Sequence, residues 1–166
     1  AREHYHRLHL ALREGAGAAD RTLDRIGYIM QCPHCLFRSE QVGMLPKPEE
    51  CALCGATLVP VGPLWMGSIN DDRVLCMMQE TLPDFAVGTN KRIARLLDIC
   101  RQELDTSSHY DYHVIAKMQK ISPGNIVSII DRLNSLGYRA SRAHYSGTAL
   151  KTDAPLQVLR EVISGG

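Results

Sequence analysis

The chain has 166 residues, 45% of them hydrophobic, with 19 Lys+Arg against 18 Asp+Glu. That length suits one ordinary domain or two small ones with a real core, and the near-neutral total argues against a chain that coats nucleic acid throughout. A 22% charged fraction argues against disorder, no apolar run approaches the ~20 residues of a membrane helix, and no signal peptide opens the sequence.

Residues 5–13 (YHRLHLALR) alternate, with His6, Leu8, Leu10 and Leu12 on one face, and read as a strand. Gly15 and Gly17 break it, and Ala18–Arg25 is a connection with room for one or two helical turns. Gly27–Gln31 reads as a second strand running into a first pair of cysteines, and Thr57–Val61 as a third strand leaving a second pair. The cysteine region is therefore expected as an insertion at the tip of a β-hairpin in a small antiparallel sheet. Opening at Ala1 directly into a strand-like pattern, the sequence reads as a piece of something longer.

Cys32, Cys35, Cys51 and Cys54 form the pattern C-x2-C-x15-C-x2-C. Two thiolates three positions apart on a tight turn can both face one ion, and two such turns complete a tetrahedron, so the spacing predicts a zinc ribbon over 32–54. Pro33 pre-sets the first turn and Gly55 supplies permissive backbone after the second. Four Cys ligands leave no open position, so the zinc is expected to be structural, one per chain. Iron on four thiolates fits the same spacing; disulfides fit poorly in an intracellular, cytoplasmic chain, and two C-x-x-C pairs at ribbon spacing fit a redox site poorly. Cys76 and Cys100 fall on apolar helical faces, and His34 reads as a solvent-facing neighbour of the ligands.

The segment GPLWMG (62–67) holds the one tryptophan, Trp65, read as a core or hinge anchor. Residues 71–81 read as a helix ended by Pro83. Thr89 or Asn90 can cap a helix carrying Ile93, Leu96, Leu97, Cys100 and Leu104 at 3–4 spacing. A short helix follows over about 112–120, with Val114, Ile115 and Met118 inward. Ser122-Pro123 reads as the start of a third helix, with Ile126, Ile129, Ile130, Leu133 and Leu136 on one face and Gly137 at its end. Tyr138–Tyr145 and Ala149–Thr152 make two strand-like runs around Ser146-Gly147, and Pro155 opens a last amphipathic helix through Leu156, Leu159 and Ile163. Three helices and a hairpin form a winged-helix pattern. The fold class is thus read as α+β: a small antiparallel sheet with an inserted zinc ribbon over 1–83, then a winged-helix-like module over 84–166.

Charge is uneven along the chain. Residues 55–111 carry five cationic against eight anionic side chains, whereas residues 112–151 carry six against one. A cationic excess on a wing points to nucleic acid. The candidate contacts are Arg139, Arg142 and Lys151 for phosphates, His144 and Tyr145 for an unpaired nucleotide, and Arg132 on the exposed side of the third helix. Arg142 and His144 share strand parity, so both could instead face inward and brace the wing.

The run GYRASRAHYSGTALKTDAP (137–155), the GPLWMG segment and the opening HYHRLHLALREGAGAAD…IGYIMQC resemble the C-terminal half of the tRNA (guanine-N2)-dimethyltransferases, and the paired cysteines fit a ribbon of that family. Ala143 stands where the family usually has Thr, and Tyr145 where it often has Phe. The resemblance implies a protein that makes N2,N2-dimethylguanosine at position 26 of tRNA from S-adenosylmethionine. It also implies an N-terminal α/β methyltransferase domain that lies outside this chain and is its intramolecular partner. The sequence has no glycine-rich strand-to-helix turn followed by an acidic residue, and no Asp-Pro-Pro-aromatic motif. The family's catalytic and cofactor residues therefore map to no position here. What the resemblance leaves for this chain is tRNA capture and placement of the target guanosine. Two other readings stay open: a zinc-ribbon and winged-helix DNA-binding transcription factor, and a module that only docks on the methyltransferase domain. The third helix exposes Asn125, Ser128, Asp131, Asn134 and Ser135 with Arg132 as its lone cation, weak equipment for reading a major groove.

Overall fold

A computed structural model describes Leu10, residues 12–85 and residues 88–165. The strand read over 5–13 falls mostly outside the described residues. The chain divides into two compact units, one running up to Gly67 and one starting at Ser68. The sequence reading drew that boundary after residue 83. The helix that follows Gly67 packs on the next helix in the chain, which draws it into the second unit.

In the first unit, helix α1 (Ala16–Leu23) leads into strand β1 (Ile26–Gln31), which is the centre of a three-stranded antiparallel sheet. Strand β2 (Arg38–Val42) pairs with it from Gly27↔Val42 to Gln31↔Arg38, and strand β3 (Val59–Trp65) from Ile26↔Trp65 to Gln31↔Val59. The β1–β3 pair is the expected hairpin with the cysteine region at its tip. Strand β2 lies outside the sequence expectation because it carries no apolar alternation: it is an edge strand with little buried surface. The core gathers Tyr28, Met30 and Leu58 around Cys32 and Cys51, with Phe37 and Leu53 packed against them. The metal-ligand candidates are thus themselves core residues. Trp65 is 40% exposed, with the Arg25 guanidinium 5.8 Å from its ring centroid, and is no core anchor.

The second unit begins with α2 (Asp72–Thr81), followed by a 3-10 turn over Leu82–Asp84 and α3 (Asn90–Gln102). Strand β4 (Tyr110–Asp111) runs directly into α4 (Tyr112–Met118), and α5 (Ile126–Ser135) follows. Strands β5 (Ala140–Arg142) and β6 (Ala149–Thr152) form the hairpin, and α6 (Leu156–Ser164) closes the unit. The sheet order is β4–β6–β5, antiparallel throughout, so β6 is the middle strand.

The starts of α2, α4 and α5 follow capping chemistry, whereas Thr89 ahead of α3 makes no side-chain cap bond. Asp71 accepts from the Arg73 and Val74 N–H groups, and Asp111 from those of His113 and Val114. Helix α5 starts later than Ser122-Pro123, because Asn125 takes the cap by accepting from Val127 N–H at 2.8 Å. It ends as expected at Gly137, whose φ is 86°. On α4, Ile115 is buried with Ala116 and Tyr112, but Val114 and Met118 are exposed, as is Leu136 beyond α5. The core joins Leu97, Ile115, Ile129, Leu133, Leu150 and Leu159 from five elements.

Candidate metal centre and nucleic-acid interface

The two cysteine turns are built alike. Cys32 N–H donates to Phe37 O and Cys51 N–H to Ala56 O, both at 2.8 Å. Within each turn a backbone N–H points at the first sulfur: His34 to Cys32 Sγ and Leu53 to Cys51 Sγ, both at 3.4 Å. The residue after each second cysteine takes a left-handed backbone, Leu36 at φ 63° and Gly55 at φ 71°. His34 is exposed and sits beside the cluster, as its position between two ligands suggested.

The four sulfurs lie within 4.8 Å of one another, with Cys32–Cys54 at 3.5 Å and Cys35–Cys51 at 3.4 Å. A tetrahedral ion with metal–sulfur bonds of about 2.3 Å needs sulfurs about 3.8 Å apart, so the spacing fits. The protonation chemistry fits as well. Burial opposes a Cys32 thiolate, but the His34 and Cys35 N–H groups and the adjacent thiols outweigh it and hold Cys32 at about 6. Burial and the neighbouring sulfurs push Cys35 up to about 12. Four thiolates so close together need a cation between them. Cys76 and Cys100 are both half-buried and stand apart from this cluster.

The residues expected at RNA are placed unequally. Lys151 is 3% exposed, its Nζ 2.9 Å from Glu103 Oε1 and donating to Leu104 O at 3.1 Å. It is an interior cation, not a surface one. Strand β6 is paired on both edges, and the burial of Ala149, Leu150 and Lys151 in succession shows that both of its faces are covered. His144 is turned to the same carboxylate, with Nδ1 at 2.7 Å and its backbone N–H donating at 3.0 Å to Glu103 Oε2. The inward rival for His144 is what the geometry supports. Burial works against the Glu103 carboxylate, but hydrogen bonds from His144 and Lys151 hold it below its ordinary range.

Arg139 is largely exposed and ion-paired to Asp153 at 2.8 Å, and Arg132 donates to the carbonyl of Gly165. Tyr145 meets His109 and His144 edge-on, with ring centroids 5.2 and 5.1 Å apart. Arg142 lines a cleft of about 690 Å³ whose other wall is α3, through Lys91, Arg92 and Arg95. These three α3 cations and the buried Glu103 escaped the sequence reading. Their i, i+1, i+4 spacing was a legible signal for the cations, whereas nothing local marks Glu103 as the partner of residues about 40 positions away.

Among the described residues, no helix is long and apolar enough to cross a membrane. A family model for the N2,N2-dimethylguanosine tRNA methyltransferases matches residues 1–164. The chain belongs to that family. A curated relative, the tRNA (guanine(26)-N(2))-dimethyltransferase of Methanoculleus marisnigri, is 72% identical over 166 residues, covering all of this chain and 45% of the relative. The protein of the same name from Methanosphaerula palustris is 52% identical over 164 residues, 99% of this chain and 44% of its own length. A solved structure, that of Trm1 from Pyrococcus horikoshii in complex with S-adenosyl-L-methionine, superposes with a TM-score of 0.76 at 32% identity. It covers 91% of this chain and 38% of the Trm1 chain. The chain thus spans less than half the length of these dimethyltransferase relatives.

Proposed function

We propose that this chain is the tRNA-binding and positioning part of a cytoplasmic, S-adenosylmethionine-dependent enzyme that dimethylates N2 of guanosine 26 in tRNA. The observation that carries the reading is the family match across residues 1–164 by a chain that spans only about 45% of a relative. S-adenosylmethionine supplies the methyl group and belongs to the methyltransferase domain expected N-terminal to these residues. No glycine-rich turn in this chain fits it, so no transfer step is assigned to these residues.

The work left to them is mechanical. The N2 amino group of a guanosine at a tRNA helix junction is stacked or paired, so the substrate must be gripped while that base is brought out. A winged-helix reading of the segment from α3 to β6 is supported by the strand order β4–β6–β5 and by the two helices set between β4 and β5. In it, Arg142 faces phosphate and Tyr145 stands beside it at the wing. Cys32, Cys35, Cys51 and Cys54 hold one structural Zn2+ that fixes the first unit; with all four positions filled, it takes no substrate. The inward engagement of His144 and Lys151 favours a second reading, a docking module without RNA contact.

Photo-crosslinking of tRNA to the full-length protein separates the two. Crosslinks inside residues 68–165 are expected, together with N2,N2-dimethylguanosine at position 26 after incubation with S-adenosylmethionine. Crosslinks confined to the rest of the protein refute the binding role, and methylation elsewhere refutes the assigned position.

A further inference from the structure

The cationic surface of the second unit is centred on α3, not on the wing strands. Lys91, Arg92 and Arg95 follow one another at helical spacing, so that Lys91 and Arg95 stand one turn apart, about 6 Å along the axis. All three are exposed. Across the cleft stand Arg142 and the chain from Ala143 to Gly147. No carboxylate lines this space.

Three acids of α3 and its neighbours, Asp98, Asp72 and Glu103, are engaged away from the cleft. Asp98 accepts from Gln79 at 2.5 Å, Asp72 pairs with Arg101 at 3.0 Å, and Glu103 lies under the sheet with Lys151. One side of α3 therefore exchanges charge with α2, and the other carries Lys91 and Arg95 toward the cleft. The uncompensated amide dipoles at the start of α3 add to the same positive field. By contrast, the exposed side of α5, the helix that a groove-reading protein would use, carries only Arg132, and that side chain is tied to the Gly165 carbonyl.

We propose that the cleft between α3 and the β5–β6 connection grips the sugar-phosphate backbone of the tRNA, with Lys91, Arg95 and Arg142 at phosphates and α5 left out of the contact. This rests on the tRNA-binding role proposed above. Guanidinium forks at fixed separation suit phosphate oxygens, and a backbone grip supplies affinity without reading sequence. Such a grip suits a protein that must place one junction nucleotide in tRNAs of differing sequence.

The test uses the full-length protein and unmodified tRNA transcript, with affinity measured against salt. Each phosphate contact contributes roughly 0.7–0.9 to the slope of log K against log salt. The Lys91→Gln/Arg95→Gln pair should therefore flatten the slope by about 1.5 and weaken binding roughly 30-fold near 0.1 M salt. Both side chains are exposed, so the melting temperature should not move; Lys117→Gln, an exposed cation on α4, controls for general charge. A Lys91/Arg95 pair that binds with unchanged slope overturns the cleft. If Arg132→Gln/Arg139→Gln then flattens the slope instead, the RNA lies elsewhere on this unit and the binding role survives. If neither pair changes it and tRNA crosslinks fall outside residues 68–165, the binding role fails with the cleft.

Discussion

Lys151→Met is the perturbation that tests the interior of the second unit most directly. The Glu103 side chain is fully buried, its Oε1 paired with Lys151 and its Oε2 with His144. Methionine fills nearly the same volume as the lysine stem but removes the ammonium, leaving a buried carboxylate with only the His144 donors. Breaking a buried pair from one side costs about 3–5 kcal/mol. For a unit of about 100 residues, that lowers the melting temperature by at least ~12 °C. Glu103→Leu combined with Lys151→Met removes both charges and should recover most of the loss, because the penalty is an unpaired charge and not a missing contact. Arg139→Gln, which breaks the solvent-exposed pair with Asp153, should leave the midpoint within about 2 °C of wild type. The assay is thermal unfolding by circular dichroism, with hydrogen exchange of the Ile129 and Leu133 amides assigning the change to this unit. The pH dependence has a fixed sign. Glu103 titrates below its ordinary 4.5 in the fold, so the stability it contributes is present above that pH and is lost as pH falls through the folded value. The gap between wild type and Lys151→Met should therefore narrow in acid as the orphaned carboxylate takes up a proton. A Lys151→Met variant as stable as Arg139→Gln at pH 7 would refute the reasoning.

Three further outcomes follow from the same geometry. Elemental analysis should find one zinc per chain, with Cys51→Ser losing it; iron, or no metal in the wild type, would contradict the assignment. Gly55→Leu should keep the zinc and cost about 1 kcal/mol in urea unfolding, because a side chain there meets open space and Leu36 already holds the matching left-handed backbone in the first turn. Loss of the metal would show that the two turns are not equivalent. Asp111→Ala should cost about 1–2 kcal/mol at pH 7, since Asp111 caps α4 and accepts from the Thr148 hydroxyl at 2.7 Å. Those bonds outweigh burial and hold its carboxyl below 3.8, so the difference from wild type should shrink as pH falls below about 4; a constant difference would rule out the charged form as its source.

How far the sequence foretold this arrangement depends on the range of each interaction. The cysteine turns were legible because each ligand pair and its turn residue, Pro33 or Gly55, lie within five residues. The helices α2, α3 and α6 were legible for the same reason, their apolar spacing being local. Strand β2 was not, because an edge strand of polar residues is held by its partner β1 and not by a buried face. Helix α5 starts later than Ser122-Pro123 foretells, because Asn125 accepts from the Val127 N–H and takes the cap, a contact only the folded geometry shows. Parity along the wing correctly allowed His144 to face inward, yet Lys151 defeated the rule. Alternation assumes one wet face, and a strand held between two neighbours and covered above and below has none.

Charge shows the same limit in a sharper form. Counted along the chain, residues 55–111 are net acidic, and the cationic excess lies after residue 112. In space much of that charge is spent internally. Five of the eight acids of the earlier segment are occupied: Asp71 and Asp111 as helix caps, Asp72 and Asp98 between α2 and α3, and Glu103 inside the core. Three of the six later cations are occupied too, Lys151 in the core, Arg139 by Asp153 and Arg132 by a carbonyl. What α3 presents is a run of three exposed cations, Lys91, Arg92 and Arg95, within the stretch that counts as negative. Counterions condense on the field a surface presents, not on the tally of its sequence. The salt slope of tRNA binding should therefore follow Lys91 and Arg95 more closely than Lys117, Arg132 or Arg139.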